Sequence, residues 1–367
     1  MNNRVKEIFT HLNSIPEPSG QEEKTSAYLA SALLKAGFAV KRNLNGGFGL
    51  TGTLIGGSDG PVVGVRADMD ALTHVVDDKT ICVHSCGHDA HCAMVLTMAE
   101  KLAILNIKRG SLKIIFQPAE ETLKGAKDII ASGEIDDLDY LFGIHLRPLQ
   151  EAKAGQATPA LRHGSSYIAK INIAGRTAHG ARPHLGINAI DAAVLLINAI
   201  SAVKENPVIP WSVKPTMFNS NSVVFNAIPD GARLAFDIRA QDNQTMQNLL
   251  QKTTQIIQTV PQTLGATGVL EAMDGCPAAE YDQESINLYA EAITNIMGAS
   301  ALLLPITTPG AEDFHFYKQA KPSIKAGYLG LGANLVPGLH DPSMKFDQDS
   351  LINGVKILEY VVNKLLN

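Results

Sequence analysis

Cys86 and His88 stand two apart in the octapeptide H-S-C-G-H-D-A-H (84–91). A thiolate beside an imidazole suits zinc, manganese or cobalt, depending on what completes the set, and the two side chains converge if the backbone is extended there. Alone, the pair also describes a buried cysteine beside surface histidines. Gln117-Pro118-Ala119-Glu120-Glu121 follows the apolar run 112–116, so two adjacent carboxylates sit at the carboxyl end of a buried strand. Open α/β sheets place their ligand sites at such ends. Consecutive acids can divide the work, one coordinating a cation while its neighbour positions and deprotonates water. His145 closes the run 141–145, His340 in G-L-H-D-P follows the run 327–331, and Asp68 and Asp70 in R-A-D-M-D-A-L lie just past the run 62–66. A single histidine so placed is more often a hydrogen-bonded core residue than a ligand. Core histidines and surface acids have no reason to choose the ends of one sheet repeatedly, so the coincidence predicts a shared metal site.

A second group lies in G-R-T-A-H-G-A-R-P-H (175–184) and beyond it. His179, expected on a loop, has no structural duty there and could donate to an oxyanion; a solvent-exposed loop histidine accounts for it equally well. Asn226 in F-N-A-I-P and Arg239 in F-D-I-R flank strands of the same region. Arg239 could clamp a substrate carboxylate through paired hydrogen bonds, or form an ordinary salt bridge. The glycines of G-G-S-D-G-P (56–61) precede a strand and lack the G-x-G-x-x-G spacing, which excludes a nucleotide site.

The elements that must position these residues are legible as periodicity. Two amphipathic helices, one from residue 4 and one over 22–36 that stops at Gly37, precede the first strands and are separated by P-E-P-S-G (16–20). Strand-length apolar runs at 62–66, 112–117 and 140–145 then alternate with helical patterns at 90–105 and 124–132. That alternation predicts a largely parallel α/β sheet. After a Gly/Ala/Pro-containing stretch at 150–165, strands over 167–174, 220–225, 232–239 and 268–273 and helices over 187–203 and 244–260 follow in the order β-α-β-β-α-β. This predicts an inserted ferredoxin-like domain, with helices at 285–297 and from 349 completing the host domain.

Length and composition agree. At roughly 100–200 residues per domain, 367 residues make two or three globular units, and 45% hydrophobic content supplies a packed core. The net charge of −5, with no basic block, excludes nucleic-acid and anionic-membrane partners. Cys82, Cys86 and Cys92, three of four cysteines, crowd beside histidines, which points to metal chemistry in a reducing compartment. No continuous apolar segment near the N-terminus reads as a secretory signal and none reaches a bilayer span, so the expected compartment is the cytoplasm.

R-A-D-M-D-A-L, H-S-C-G-H-D-A-H, F-Q-P-A-E-E, G-I-H, A-H-G-A-R-P-H, P-G-A-E-D-F (309–314) and G-L-H-D-P together resemble the M20 metallopeptidase family, in particular its amidohydrolase branch of N-acyl-amino-acid, hippurate and auxin-conjugate hydrolases. The resemblance implies a catalytic domain over 1–164 and 278–367 and a lid and dimerisation domain over 165–277. It implies two divalent cations (manganese, zinc, cobalt or nickel) held by Cys86 as bridge with His88, Glu121, His145 and His340, Glu120 as general base, and Asp68 behind the ligands. His179 would stabilise the tetrahedral intermediate, and Asn226 and Arg239 fall where relatives contact substrate. The implied reaction is hydrolysis of a C–N bond other than a typical peptide bond in a small N-acyl amino acid or conjugate, by a homodimer. A deacetylase of the N-acetyl-diaminopimelate type, a dipeptidase, and a catalytically idle metal-binding homologue are the alternatives. Arg66-x-Asp68 stands where the peptidase branches carry H-x-D, which favours the amidohydrolase branch. T-H-V-V-D-D-K-T-I-C-V (73–83) replaces the P-I-x-E continuation of many amidohydrolases, so substrate preference does not carry over from a relative.

Overall fold

Residues 112–117 and 140–147 are buried without alternation, as strands are when helices cover both faces of their sheet. In this computed structural model, which describes residues 2–220 and 222–367, they belong to the first of two units, Met1–Arg162 with Glu280–Thr308 and Glu312–Asn367; the second is His163–Ala279 with Pro309–Ala311.

The seven-stranded sheet of the first unit runs in the order Ala39–Arg42, Leu50–Ile55, Ser111–Gln117, Val62–Asp68, Tyr140–Pro148, Lys325–Leu335, Ala157–Thr158. Its four middle strands are parallel; the outer ones pair antiparallel. The fold is therefore α/β with a mixed, mostly parallel sheet. The two antiparallel strands before residue 56 are absent from the sequence expectation, because short, half-exposed segments such as Ala39–Arg42 carry no apolar run. Helix His88–Leu105 is buried over its first twelve residues and packs against helices Asn2–Asn13 and Leu351–Leu366. That interior position explains why its apolar residues are not confined to one stripe. Asp68 is the last residue of its strand rather than beyond it, and the strand of His145 continues to Pro148.

The second unit is an antiparallel four-stranded sheet ordered Trp211–Asn219, Gly231–Ala240, Ser165–Ala174, Thr267–Cys276. Its core joins Ile171, Leu234 and Phe236 to Leu196 and Leu249 of helices Ala189–Ser201 and Asn243–Thr259. Both helices are capped by a side chain that accepts a backbone N–H, Asn188 from Ile190 and Asp242 from Thr245.

The strand expected over 220–225 lies instead at Trp211–Asn219; Asn221 falls outside the described residues. Val223-Val224-Phe225 imitates a strand by composition, yet Phe225 is fully exposed. The strand that forms contains Pro215, which a sheet tolerates at its edge, and the register slips between Pro215 and Met217. His179 also differs from expectation: it lies in the two-residue strand Ala178–His179, paired with Ala227–Ile228. Among the described residues no helix is long and apolar enough to cross a membrane.

Candidate metal centre

Three neighbouring parallel strands bring chemistry-bearing residues together near their carboxyl ends: Asp68 at the end of its strand, Glu120 and Glu121 three and four residues past Gln117, and His145 within the strand that ends at Pro148. Cys86 and His88 arrive from the turn that starts helix His88–Leu105. The backbone between them is not extended: Gly87 is left-handed, with φ +88°, a conformation costly for residues with a Cβ, and in that position a Cβ would lie 3.2 Å from Leu146 Cδ1. Cys86 and His88 converge on one point nonetheless.

Hydrogen bonds decide which imidazole nitrogens are free. His88 Nδ1 is 3.1 Å from Asp70 Oδ1 and 3.0 Å from the Asp70 carbonyl. Both are acceptors, so Nδ1 carries the proton and the lone pair of the neutral ring is on Nε2. That Nε2 is buried and hydrogen-bonds to nothing. His145 Nδ1 faces the Leu146 carbonyl at 2.6 Å, and its Nε2 points to Cys86 Sγ at 3.5 Å. His91 is different: Nδ1 meets Asp68 Oδ1 at 2.7 Å while Nε2 accepts the Leu146 N–H at 3.0 Å. Asp68, His88 and His91 approach closely enough to bind an ion, but both His91 nitrogens are already engaged, so His91 is a brace.

Glu121 Oε1 is also buried without a hydrogen bond. It lies 3.9 Å from His88 Nε2 and 3.4 Å from His340 Nε2. His340 is exposed and left-handed (φ +65°), and its N–H donates to the Ser85 carbonyl at 2.7 Å. His88, Glu120 and Glu121 form one triad with ligand atoms within 4.8 Å of one another, and two more, Cys86–His88–His145 and Cys86–Glu121–His340, share Cys86. The orphaned Nε2 and Oε1, with sulfur, nitrogen and oxygen donors converging, fit divalent transition metals, and Asp70 behind His88 is the carboxylate partner that metal-ligating histidines ordinarily have.

Burial favours the protonated thiol of Cys86, and neighbouring acids the imidazolium of His88, protons that a divalent cation would displace. Burial pushes the Cys86 thiol up to about 12 despite His88; a coordinated cation would reverse this by stabilising the thiolate. Burial opposes charge on His88, yet Asp68, Cys86 and Asp70 hold its imidazolium well above the usual histidine range. His145 is held neutral by burial, reinforced by His91 and Arg147, the state in which an imidazole binds metal. Glu120 is buried 4.0 Å from His88 Nε2, and its Oε1 takes a long 3.4 Å hydrogen bond from the Asp313 N–H. Burial raises its proton affinity, with Glu312, Asp313 and Glu121 adding to the effect and His88 opposing it.

Arg66, itself buried, binds Asp68 at 2.6 Å, Asp313 at 2.8 Å, Glu312 at 3.2 Å and the Gln117 side-chain oxygen at 2.9 Å. It neutralises the acids behind the ligands. Arg66→Met should therefore cost about 3–5 kcal/mol, as removal of one partner from a buried ion cluster does. Urea unfolding measures it, and a midpoint equal to that of the unmodified chain would mean that other groups balance these acids. Asp70, His91, Glu312 and Asp313 stand in the quoted motifs without an assigned role. The D-M-D spacing at the end of a buried strand is the one signal that pointed towards Asp70.

His179, Asn226 and Arg239 belong to the second unit. The His179 strand and Asn226 are brought together, Gly180 donating its N–H to the Asn226 carbonyl at 2.7 Å. His179 Nδ1 accepts the Ala181 N–H at 3.0 Å, which leaves the proton of the neutral ring on Nε2. Arg239 Nε donates to both Asp237 oxygens at 3.0 Å, and one terminal nitrogen donates to the Pro309 carbonyl at 3.3 Å.

The sequence pattern of Peptidase family M20/M25/M40 matches residues 64–364. A hippurate hydrolase of Campylobacter jejuni is 30% identical over 94% of this chain and 92% of its own. Thermostable carboxypeptidase 2 of Saccharolobus solfataricus is 31% identical over 90% of this chain and 88% of its own. Among solved structures, the YxeP protein of Bacillus subtilis, a dinuclear metal binding peptidase, superposes with a TM-score of 0.80 at 23% identity over 100% of this chain and 98% of that one.

Proposed function

The chain belongs to Peptidase family M20/M25/M40 and is a hydrolase of that family; on this premise we propose that it hydrolyses the amide bond of N-acyl amino acids at a paired-cation centre. The observation that carries the reading is that Cys86 belongs to two donor triads, His88 with His145 and Glu121 with His340, beside a carboxylate, Glu120, that belongs to neither. The chemistry two divalent cations supply when bound there is polarisation of the scissile carbonyl and acidification of water. Glu120 takes the proton that water loses as its oxygen bonds to the carbonyl carbon, then delivers it to the departing amine nitrogen as the C–N bond breaks. Arg66, Asp68 and Asp70 keep the ligands and the base in orientation.

In the second unit we assign His179 Nε2–H to the carbonyl oxygen as it gains charge, and Asn226 and Arg239 to the substrate, Arg239 to the amino-acid carboxylate. This unit would serve as lid and homodimer surface. The hippurate hydrolase relative favours an acyl-amino acid, because hippurate is one; the carboxypeptidase relative keeps peptides in the comparison.

A panel of acetyl-, benzoyl- and indole-acetyl-amino acids against dipeptides, run with manganese, zinc, cobalt or nickel, tests the reading. Acyl-amino acids should be turned over faster; preference for dipeptides would replace the proposal with a peptidase. Stripping the chain with a chelator should abolish turnover and lower the melting temperature, since a cation present at about a thousand times its Kd stabilises by about 4 kcal/mol. Readdition should restore both. Full turnover by the stripped chain would sink the cation requirement.

A further inference from the structure

The residue that stands out beyond the ligand set is Glu22, which is completely buried and forms no ion pair among the described residues. Burial pushes its carboxyl up to about 7, opposed by the backbone N–H groups of Gly20, Glu22 and Ala119 and helped by Asp70, and its Oε2 hydrogen-bonds to nothing. An unpaired carboxylate in the interior is expensive to keep, so its presence calls for something an apolar side chain cannot do. Its other oxygen does such a thing: Oε1 accepts the Gly20 N–H at 2.9 Å and the Ala119 N–H at 2.8 Å. Ala119 immediately precedes Glu120 and Glu121 and is left-handed, with φ +53°, a region that residues with a Cβ avoid unless their surroundings hold them there.

The same N-terminal loop holds the other end of this turn. Asp70 Oδ2 accepts the Ser19 hydroxyl at 2.6 Å and the Glu121 N–H at 3.0 Å, while Oδ1 faces His88 Nδ1. The Ala71 N–H is bound by the Glu17 carbonyl at 2.8 Å. Glu22, at the start of the second helix, thus holds one flank of the acidic pair directly, and Ser19, in the break between the helices, supports the other through Asp70.

We propose that Glu22 is a positioning residue, whose carboxylate fixes Ala119 in its left-handed conformation and thereby aims Glu120 and Glu121 at the metal centre. The inference rests on the roles assigned above to those two acids, and goes beyond them by giving the N-terminal loop a part in the chemistry. Two backbone N–H groups converge on one oxygen here, an acceptor role that an amide oxygen can also fill but an apolar side chain cannot.

The test compares the full chain with its Glu22→Gln and Glu22→Met variants, each loaded with cobalt(II). Visible absorption reports the ligand field, elemental analysis the metal content, and kcat and KM are taken on the best acyl-amino acid of the panel. Glu22→Met keeps the volume and loses the acceptor; it should shift the cobalt bands and lower kcat by about 10–100-fold, as loss of an outer partner does, with KM changed less than about threefold. Glu22→Gln keeps an acceptor and should preserve spectrum and kcat. An unaltered spectrum and kcat in Glu22→Met, or equal losses in both variants, would overturn the proposal. If Glu22→Met does not fold, Glu22→Asp, which keeps the charge but withdraws the acceptor by one methylene, takes its place with the same expected shift and the same overturning results. Glu121→Ala is loaded in parallel. An unchanged spectrum there means that the assigned ligand set fails; a changed one beside an unchanged Glu22→Met spectrum sinks the role of Glu22 alone.

Discussion

Glu120→Gln should retain its full complement of metal while losing about 10²–10⁴-fold in kcat, the typical contribution of a general base. The substitution preserves shape and one carbonyl oxygen, so the long hydrogen bond from the Asp313 N–H can persist. Only the ability to take a proton disappears. Burial, followed by Glu312, Asp313 and Glu121, raises the proton affinity of Glu120, an effect that cations bound beside it would oppose. His88 opposes the effect without pairing closely, its Nε2 lying 4.0 Å from Oε2. Turnover on the preferred substrate and elemental analysis of the same sample decide the matter. Retained turnover at full metal content would remove Glu120 from the role and leave Glu312, buried beside it, as the next carboxylate to test.

The second large effect is expected at Cys86. Its sulfur is common to the triads with His88 and His145 and with Glu121 and His340, so Cys86→Ala withdraws a donor from both at once. Loss of an outer-shell partner alone costs about 10–100-fold in metal affinity, so loss of this sulfur should exceed 100-fold. Equilibrium dialysis against cobalt or zinc should then find at most weak binding. The variant removes a thiol whose proton affinity burial has raised to about 12, so without metal its folding stability should change little for electrostatic reasons. A Cys86→Ala chain that still binds two cations tightly would refute the bridging assignment and leave the histidine and carboxylate ligands to be explained without it.

These expectations draw on two kinds of information. The types and order of the candidate ligands are local properties of the chain: an apolar run of strand length followed by His145, or by Glu120 and Glu121, can be read from neighbours in sequence because burial of a parallel strand is written in consecutive residues. The α/β class follows from the same runs and their alternation with helices. Where local composition misled, the cause was an edge. Residues 223–225 look like a strand and are exposed, whereas Trp211–Asn219 looks interrupted by Pro215 and pairs along one side only.

The sequence alone determined which donors the chain owns and that several of them close or follow apolar runs of strand length. Only the tertiary structure decided which of them are available. His88, His91 and His145 are indistinguishable as letters, yet Asp70 leaves Nε2 of His88 open and the Leu146 carbonyl turns Nε2 of His145 to Cys86, whereas Asp68 and the Leu146 N–H occupy both nitrogens of His91. The same holds for Arg66, read only as a departure from H-x-D and found to be the countercharge of Asp68, Glu312 and Asp313, and for Glu22, which meets Ala119 across 97 residues of chain. The reason is physical. Hydrogen-bond partners and the desolvation of charges depend on groups brought together by folding from distant parts of the chain, and no pattern along the sequence specifies them in advance.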